Sequence, residues 1–302
     1  MALFEVRGMT IRFGGLTANE DVNIIAEDGQ IVGLIGPNGA GKSTLFNAIS
    51  GLIEPAAGQV LLDGEDLLPL MPYERVGRGI GRTFQNVRLF PSLSVYDNLL
   101  VAYHTRMHGG LLAGALQTKR SRADERSARD RAAEVMEVVN LHPYAARQAS
   151  ALSYGTLRMV ELACLLMLSP RIVLLDEPAS GIAQKETEAL GPLLRRIRDN
   201  LGATILLIEH DMPLVMGLCD MVYCLDLGRV IAAGRPEDVQ RTPRVIEAYL
   251  GKRAAEELEA RLAEEEAAAA RVKAAPKASS RRAAPVPTVS RGARAAGGRK
   301  RG

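Results

Sequence analysis

The chain has 302 residues, 47% of them hydrophobic and 24% charged, with three Cys and no Trp. That is the composition of an ordinary folded protein, and the length allows about two domains. The net charge of +3 hides an asymmetry: residues 271–302 hold ten Lys or Arg and no Asp or Glu, leaving residues 1–270 at −7, so the overall charge is no guide to partners. No apolar run approaches the roughly 18–20 residues of a membrane-spanning helix. The first five residues lead into a strand pattern rather than a secretory leader. The chain is therefore expected in the cytoplasm, with docking on something that spans the membrane left open.

In chain order, residues 3–13 and 21–26 read as short strands, and residues 30–35 as an apolar, buried-strand run. Gly36, Pro37, Asn38, Gly39, Ala40, Gly41, Lys42, Ser43 and Thr44 follow, and they fit G-x-x-x-x-G-K-[ST]. Residues 43–50 then read as a helix stopped by Gly51. Strand, glycine loop and helix N-terminus bring free N–H groups and the positive end of a helix dipole to one point suited to polyphosphate. Lys42 can reach β- and γ-phosphates, and the Ser43 hydroxyl can ligate magnesium. Residues 58–64 and 80–84 read as further strands, the latter leading into Gln85.

Helical patterns dominate residues 95–168, with Arg/Glu pairs on the polar positions of residues 124–139. Strands return at 172–175, 204–208 and 221–225, with a helix at 186–200. Strands alternating with helices predict a mostly parallel sheet covered on both faces. Cys164, Cys219 and Cys224 lie in apolar patterns without C-x-x-C spacing and read as reduced core residues. Residues 252–302 are an Ala/Glu-rich helix candidate followed by a basic segment too polar to fold alone. That segment reads as a solvated extension, with anionic lipid or nucleic acid as alternative contacts.

Five further positions carry chemistry. The apolar run at 172–175 ends in Asp176 and Glu177, which a parallel sheet places at its carboxyl edge beside the phosphate loop. There Asp176 can hold magnesium directly or through water, and Glu177 can polarise a water aimed at the γ-phosphate. The next strand ends in Glu209-His210-Asp211, where an imidazole can hydrogen-bond a γ-phosphate and sense its loss. The Gln85 amide can reach magnesium or the attacking water. Ser153, in Leu152-Ser153-Tyr154-Gly155, reads as an N-cap opening a long apolar helix. A second anion-ready helix start, far from the phosphate loop, suggests service to a different nucleotide.

The order of phosphate loop, Gln85, Leu152-Ser153-Tyr154-Gly155, Asp176-Glu177 and His210 resembles an ABC-transporter nucleotide-binding subunit over residues 2–251. Phe13-Gly14-Gly15-Leu16, Arg82-Thr83-Phe84-Gln85-Asn86, Glu209-His210-Asp211-Met212 and Glu247-Ala248-Tyr249-Leu250-Gly251 resemble the ATPase subunits of branched-chain amino-acid importers. The resemblance implies a P-loop NTPase core with a mostly parallel sheet, an N-terminal antiparallel β subdomain and an inserted helical subdomain at about 87–168. It implies an ATP-binding domain over 1–251, with ATP and Mg2+ as cofactors. Phe13 would stack on adenine, and residues 36–44 would hold the phosphates. Ser43, Gln85 and Asp176 would serve the metal, Glu177 would be the general base, and His210 the γ-phosphate sensor. Ser153 and Gly155 would close over ATP held by a second ATP-binding subunit, identical or different.

The implied partners are membrane permease subunits and an extracytoplasmic substrate-binding protein, with the chain peripheral at the cytoplasmic face of the membrane. Tyr154, Thr156 and Leu157 depart from the common signature, and Ala183 stands where many relatives carry Asp or Asn. An unequal pair of ATP sites is compatible with those departures. Two other readings stay open: an ABC ATPase driving urea, lipid or export, and a soluble nucleic-acid or ribosome-associated ABC ATPase. The latter usually carries two cassettes or a long coiled-coil insert, which this sequence lacks, so nucleic acid is not the expected partner. A GTPase is disfavoured by the lack of an Asn-Lys-x-Asp motif.

Overall fold

The computed structural model describes residues 2–83, 89–107, 119–182 and 184–251, with the backbone alone at 119, 120 and 184–186. In chain order its elements begin with β1 (Ala2–Phe13), β2 (Leu16–Glu27), β3 (Ile31–Ile35), α1 (Lys42–Ile49), β4 (Ala57–Leu62), β5 (Glu65–Asp66), α2 (Pro72–Arg78) and β6 (Ile80–Arg82). Helices α3 (Val95–Tyr103), α4 (Lys119–Val139) and α5 (Tyr154–Leu166) lie between β6 and β7 (Ile172–Asp176). Then come α6 (Gln184–Leu201), β8 (Thr204–Ile208), α7 (Met212–Leu218), β9 (Met221–Asp226), β10 (Arg229–Gly234), α8 (Pro236–Gln240) and α9 (Pro243–Leu250).

Every residue of β3, β7 and β8 is buried, because both faces of their sheet are covered. The pleat sends alternate side chains to opposite faces. Ile31, Ile35, Val173, Leu175, Ile205 and Leu207 join a core shared with Leu99 of α3, Val135 of α4, Leu166 of α5 and Leu194 of α6. Val32, Leu34, Ile172, Leu174, Leu206 and Ile208 face the opposite way, against Leu45, Phe46 and Ile49 of α1 and Phe4, Met9 and Ile11 of β1. Burying each such side chain contributes about 1.5–3 kcal/mol before conformational entropy is set against it.

This six-stranded sheet runs β10-β9-β3-β8-β7-β6, parallel except for β10, which pairs antiparallel with β9. A separate antiparallel sheet runs β2-β1-β4-β5. The expected fold class is thus the observed one: a mostly parallel sheet, an N-terminal antiparallel sheet, and helices α3–α5 inserted between β6 and β7. The inserted α4 buries Ala128, Ala132, Val135, Met136 and Val139, the i, i+4, i+7, i+8, i+11 stripe of an amphipathic helix. Its polar face carries the Arg129–Glu125 pair at 3.4 Å. Elements β5, β10, α2 and α7–α9 were not anticipated, being short or built at the edges.

Arg75 of α2 explains how the phosphate-loop helix ends. Nearly fully buried, it donates from Nη1 to the carbonyls of Ala48 and Ile49 at 2.8 and 2.9 Å. It also donates to the carbonyls of Leu68 and Leu70 at 3.0 Å each. A cation thus meets the C-terminal carbonyls of α1, the negative end of its dipole.

Candidate nucleotide site

Register decides what meets at the carboxyl edge of the sheet. Leu34 of β3 and Asp176 of β7 both pair with Ile208 of β8, so the three strands end together. The phosphate loop leaves β3 there, Glu177 follows β7, and Glu209 and His210 follow β8.

The loop's path requires glycine at two points. A Cβ on Gly36, at φ 145, would lie 2.0 Å from the Leu225 carbonyl oxygen, and one on Gly41, at φ 99, would lie 2.6 Å from that of Ala18. Gly41 caps α1, which has neither a side-chain cap nor an acidic residue in its first turn, so its positive end is left for an anion. Lys42 is buried, and its Nζ donates to the carbonyls of Gly36 and Pro37 at 2.7 and 3.0 Å. Burial pushes the Lys42 pKa down, opposed by the nearby carboxylates of Glu177 and Asp176.

A cleft of about 520 Å³ opens above this loop, lined by Phe13, Leu16, Thr17, Ala18, residues 38–44, Glu177, Leu227 and Gly228. Phe13 pairs with Leu16 at the tip of the β1–β2 hairpin and is 49% exposed, an aromatic face free for a base. The hairpin is tied to the loop through Gly228, which accepts from Glu20 N–H at 2.9 Å and donates to the Ala40 carbonyl at 3.1 Å.

Glu177 lies in this cleft wall with φ 51, a left-handed conformation that costs a non-glycine residue about 1–2 kcal/mol. Its backbone N–H donates to the Ile208 carbonyl at 2.9 Å, which holds the turn. Its Oε1 is 2.6 Å from His210 Nε2.

Asp176 is almost fully buried. Its Oδ2 accepts from Arg82 Nη2 at 3.1 Å, while Oδ1 is buried with no hydrogen-bond partner among the described residues. Burial raises the Asp176 pKa, and Arg82 opposes the rise. A buried carboxylate oxygen awaiting a partner, with the Ser43 hydroxyl on the cleft wall, fits a hard divalent cation.

Two positions escaped the sequence reading as functional residues. Arg82, at the end of β6, donates to Asn47 of α1 and to Ser50 just after it at 2.8 and 3.1 Å, as well as to Asp176. It also sits over the Phe46 ring, 5.7 Å from its centre. This guanidinium fixes β7 against the phosphate-loop helix. Glu209 is buried and joins the turns after β7 and β8: Oε1 accepts from Ala179 N–H at 2.6 Å, and Oε2 from His210 N–H at 3.0 Å. Burial raises its pKa. For Glu209 the available signal was a charged residue following the buried strand β8; Arg82, at the end of the three-residue β6, had no such signal.

Ser153 and Gly155 do not line this cleft. Ser153 caps α5, accepting from Thr156 N–H at 3.3 Å, and its Oγ lies 2.9 Å from Thr156 Oγ1. Tyr154 is half exposed, and its hydroxyl accepts from Arg158 Nε at 3.1 Å. Gln85, Ala183 and the tail 252–302 lie outside the described residues. The three cysteines are buried or half-buried, their pKa values pushed up to about 12 by burial. Among the described residues no helix is long and apolar enough to cross a membrane.

A strand–glycine-loop–helix with an acidic strand end and a histidine beside it defines an ATPase of the P-loop class. The chain belongs to the ABC transporter family of ATP-binding proteins: the ABC transporter family model matches residues 19–180. A model described as branched-chain amino acid ATP-binding cassette transporter matches residues 229–255.

It is 45% identical over 250 residues to the high-affinity branched-chain amino acid transport ATP-binding protein BraF of Pseudomonas aeruginosa, covering 83% of this chain and 98% of BraF. It is 46% identical over 251 residues to LivG of Escherichia coli K12, named for the same transport, with the same coverage. Among solved structures, the ADP conformation of MJ1267, an ATP-binding cassette of an ABC transporter, superposes with a TM-score of 0.72 at 30% identity. That match covers 83% of this chain and all of the other.

Proposed function

We propose that this chain is the ATP-hydrolysing subunit of an ABC importer that takes up branched-chain or related amino acids. The observation that carries the reading is the meeting of Lys42, Ser43 and the His210-bonded Glu177 on one cleft. The identity to BraF and LivG supports the cargo. Residues 1–251 form the ATP-binding domain in this reading, with 252–302 as its extension.

Phe13 stacks on the base, and the loop N–H groups from Gly39 to Thr44 bind the phosphates. Lys42 exchanges its carbonyl partners for phosphate oxygens, and the carboxylates of Glu177 and Asp176 favour its charged form. Glu177 accepts a proton from the attacking water, and His210 holds that carboxylate in place and bonds the γ-phosphate. Ser43, Asp176 and Gln85 would hold magnesium, which when bound neutralises phosphate charge. Ser153 and Gly155 serve ATP on the phosphate loop of a second ATP-binding subunit. ATP then favours the closed pair by differential binding. The pair sits at the cytoplasmic face against permease subunits, which receive cargo from an extracytoplasmic binding protein.

The test is leucine uptake by vesicles containing the chain, its permeases and binding protein. Uptake should depend on ATP and vanish with Glu177→Gln; unchanged uptake by that variant overturns the reading. A second reading, another cargo, draws on 32% identity to the lipopolysaccharide export ATP-binding protein LptB of Escherichia coli K12. ATPase activity stimulated by lipid but not by loaded binding protein would favour it.

A further inference from the structure

Gly36, the first residue of the phosphate loop, is gripped on both its polar groups. Its carbonyl accepts from Lys42 Nζ at 2.7 Å, and its N–H donates to the Tyr249 hydroxyl oxygen at 2.6 Å. Tyr249 lies in the last turn of α9, 213 residues further along the chain. Its phenol pKa is pushed up to about 12, chiefly by burial, so it stays a neutral hydroxyl. Helix α9 is anchored separately, by buried Val245 in the core on the helical side of the sheet. The distant C-terminal segment therefore reaches the loop through the Tyr249 hydroxyl.

We propose that Tyr249 is a positioning residue for the phosphate loop, so that α9 sets the affinity for ATP. The proposal rests on the nucleotide-binding reading of the cleft and adds to it a control point outside the cleft lining. Phosphate is held by N–H groups whose directions depend on the loop's peptide planes. Gly36 is the hinge where β3 becomes that loop, and its φ of 145 is open to few other residues. Without the phenol oxygen the Gly36 N–H loses its partner, and a loop fixed at that peptide becomes free to turn. Lys42, held by the other side of Gly36, would lose its fixed starting position.

The experiment uses the full-length chain, with Mg-ATP titrated onto wild type, Tyr249→Phe and Val245→Ala, and with KM and kcat measured in the assembled transporter. Tyr249→Phe keeps the ring and removes the acceptor. Its ATP affinity should fall about tenfold, the usual scale for one unmade hydrogen bond, with KM raised in step and kcat within about twofold. Val245→Ala should lower the melting temperature yet leave ATP affinity within about twofold. Affinity within twofold of wild type in Tyr249→Phe, a fall in kcat with KM unchanged, or equal weakening by Val245→Ala would each overturn the proposal. Failure of the wild type to bind ATP would instead sink the nucleotide-binding reading on which it rests.

Discussion

The carboxyl edge of the parallel sheet and the Ser153 end of α5 are both helix starts suited to anions, yet they are built in opposite ways. At the sheet edge, polar groups are pinned between elements distant in sequence: Arg82 to α1 and β7, Glu209 to the turns after β7 and β8, Tyr249 to the phosphate loop. Several are buried, and Asp176 Oδ1 is without a hydrogen-bond partner among the described residues. At α5, the Ser153 side chain bonds to Thr156 three residues on among the described residues, and the residue is exposed. One region is a preorganised half-site that awaits a ligand. The other is a locally satisfied helix end, which in the proposed reading gains a function only when a second subunit presents its nucleotide. Preorganisation follows from burial, and burial at the sheet edge is supplied by strands on both sides.

The sharpest break between the regions is Glu177→Gln. ATP turnover by the assembled transporter should fall by at least about 100-fold, the scale of a lost general base, with ATP binding retained. Turnover assays beside a binding titration check this, and residual turnover within tenfold of wild type would argue against Glu177 as the base. Next is Arg82→Met, which leaves Asp176 buried without its cation and should lower stability by about 3 kcal/mol in urea unfolding. The same measurement on Ser153→Ala should show only a cap-sized loss of about 1 kcal/mol. Equal losses would erase the contrast between a buried network and a surface cap.

A smaller effect is expected from Ser153→Arg, which should reduce turnover in the assembled transporter by about tenfold through one lost phosphate-facing contact. The smallest concerns Glu209. Its proton is held more tightly in the folded than the unfolded state. The stabilisation it brings is complete below the ordinary glutamate value of about 4.3 and is lost as pH rises through its higher folded value. Glu209→Gln should flatten that decline, which urea midpoints across a pH series would show.

Much of the sheet edge was legible because its signals are local. The G-x-x-x-x-G-K-[ST] run, the apolar strand ending in Asp176-Glu177 and the next ending in Glu209-His210 each announce themselves within a few residues. Parallel topology then requires their meeting. Arg82 and Tyr249 were quoted only inside longer strings, since their partners lie 94 and 213 residues away in sequence. No period or motif encodes such a contact. Short elements such as α2 and β10 were missed for a related reason. Their formation depends on tertiary partners, with Arg75 gripping the end of α1 and β10 pairing with β9, more than on their own propensity.

The contrast between the two regions rests on Ser153 serving a nucleotide other than the one on its own chain. The most direct measurement is an ATP titration of the isolated full-length chain carrying Ser153→Arg. An affinity within about twofold of wild type is predicted, because the cleft is lined without Ser153. A tenfold weakening in the isolated chain would show that Ser153 belongs to its own chain's site, and would contradict the two-subunit account.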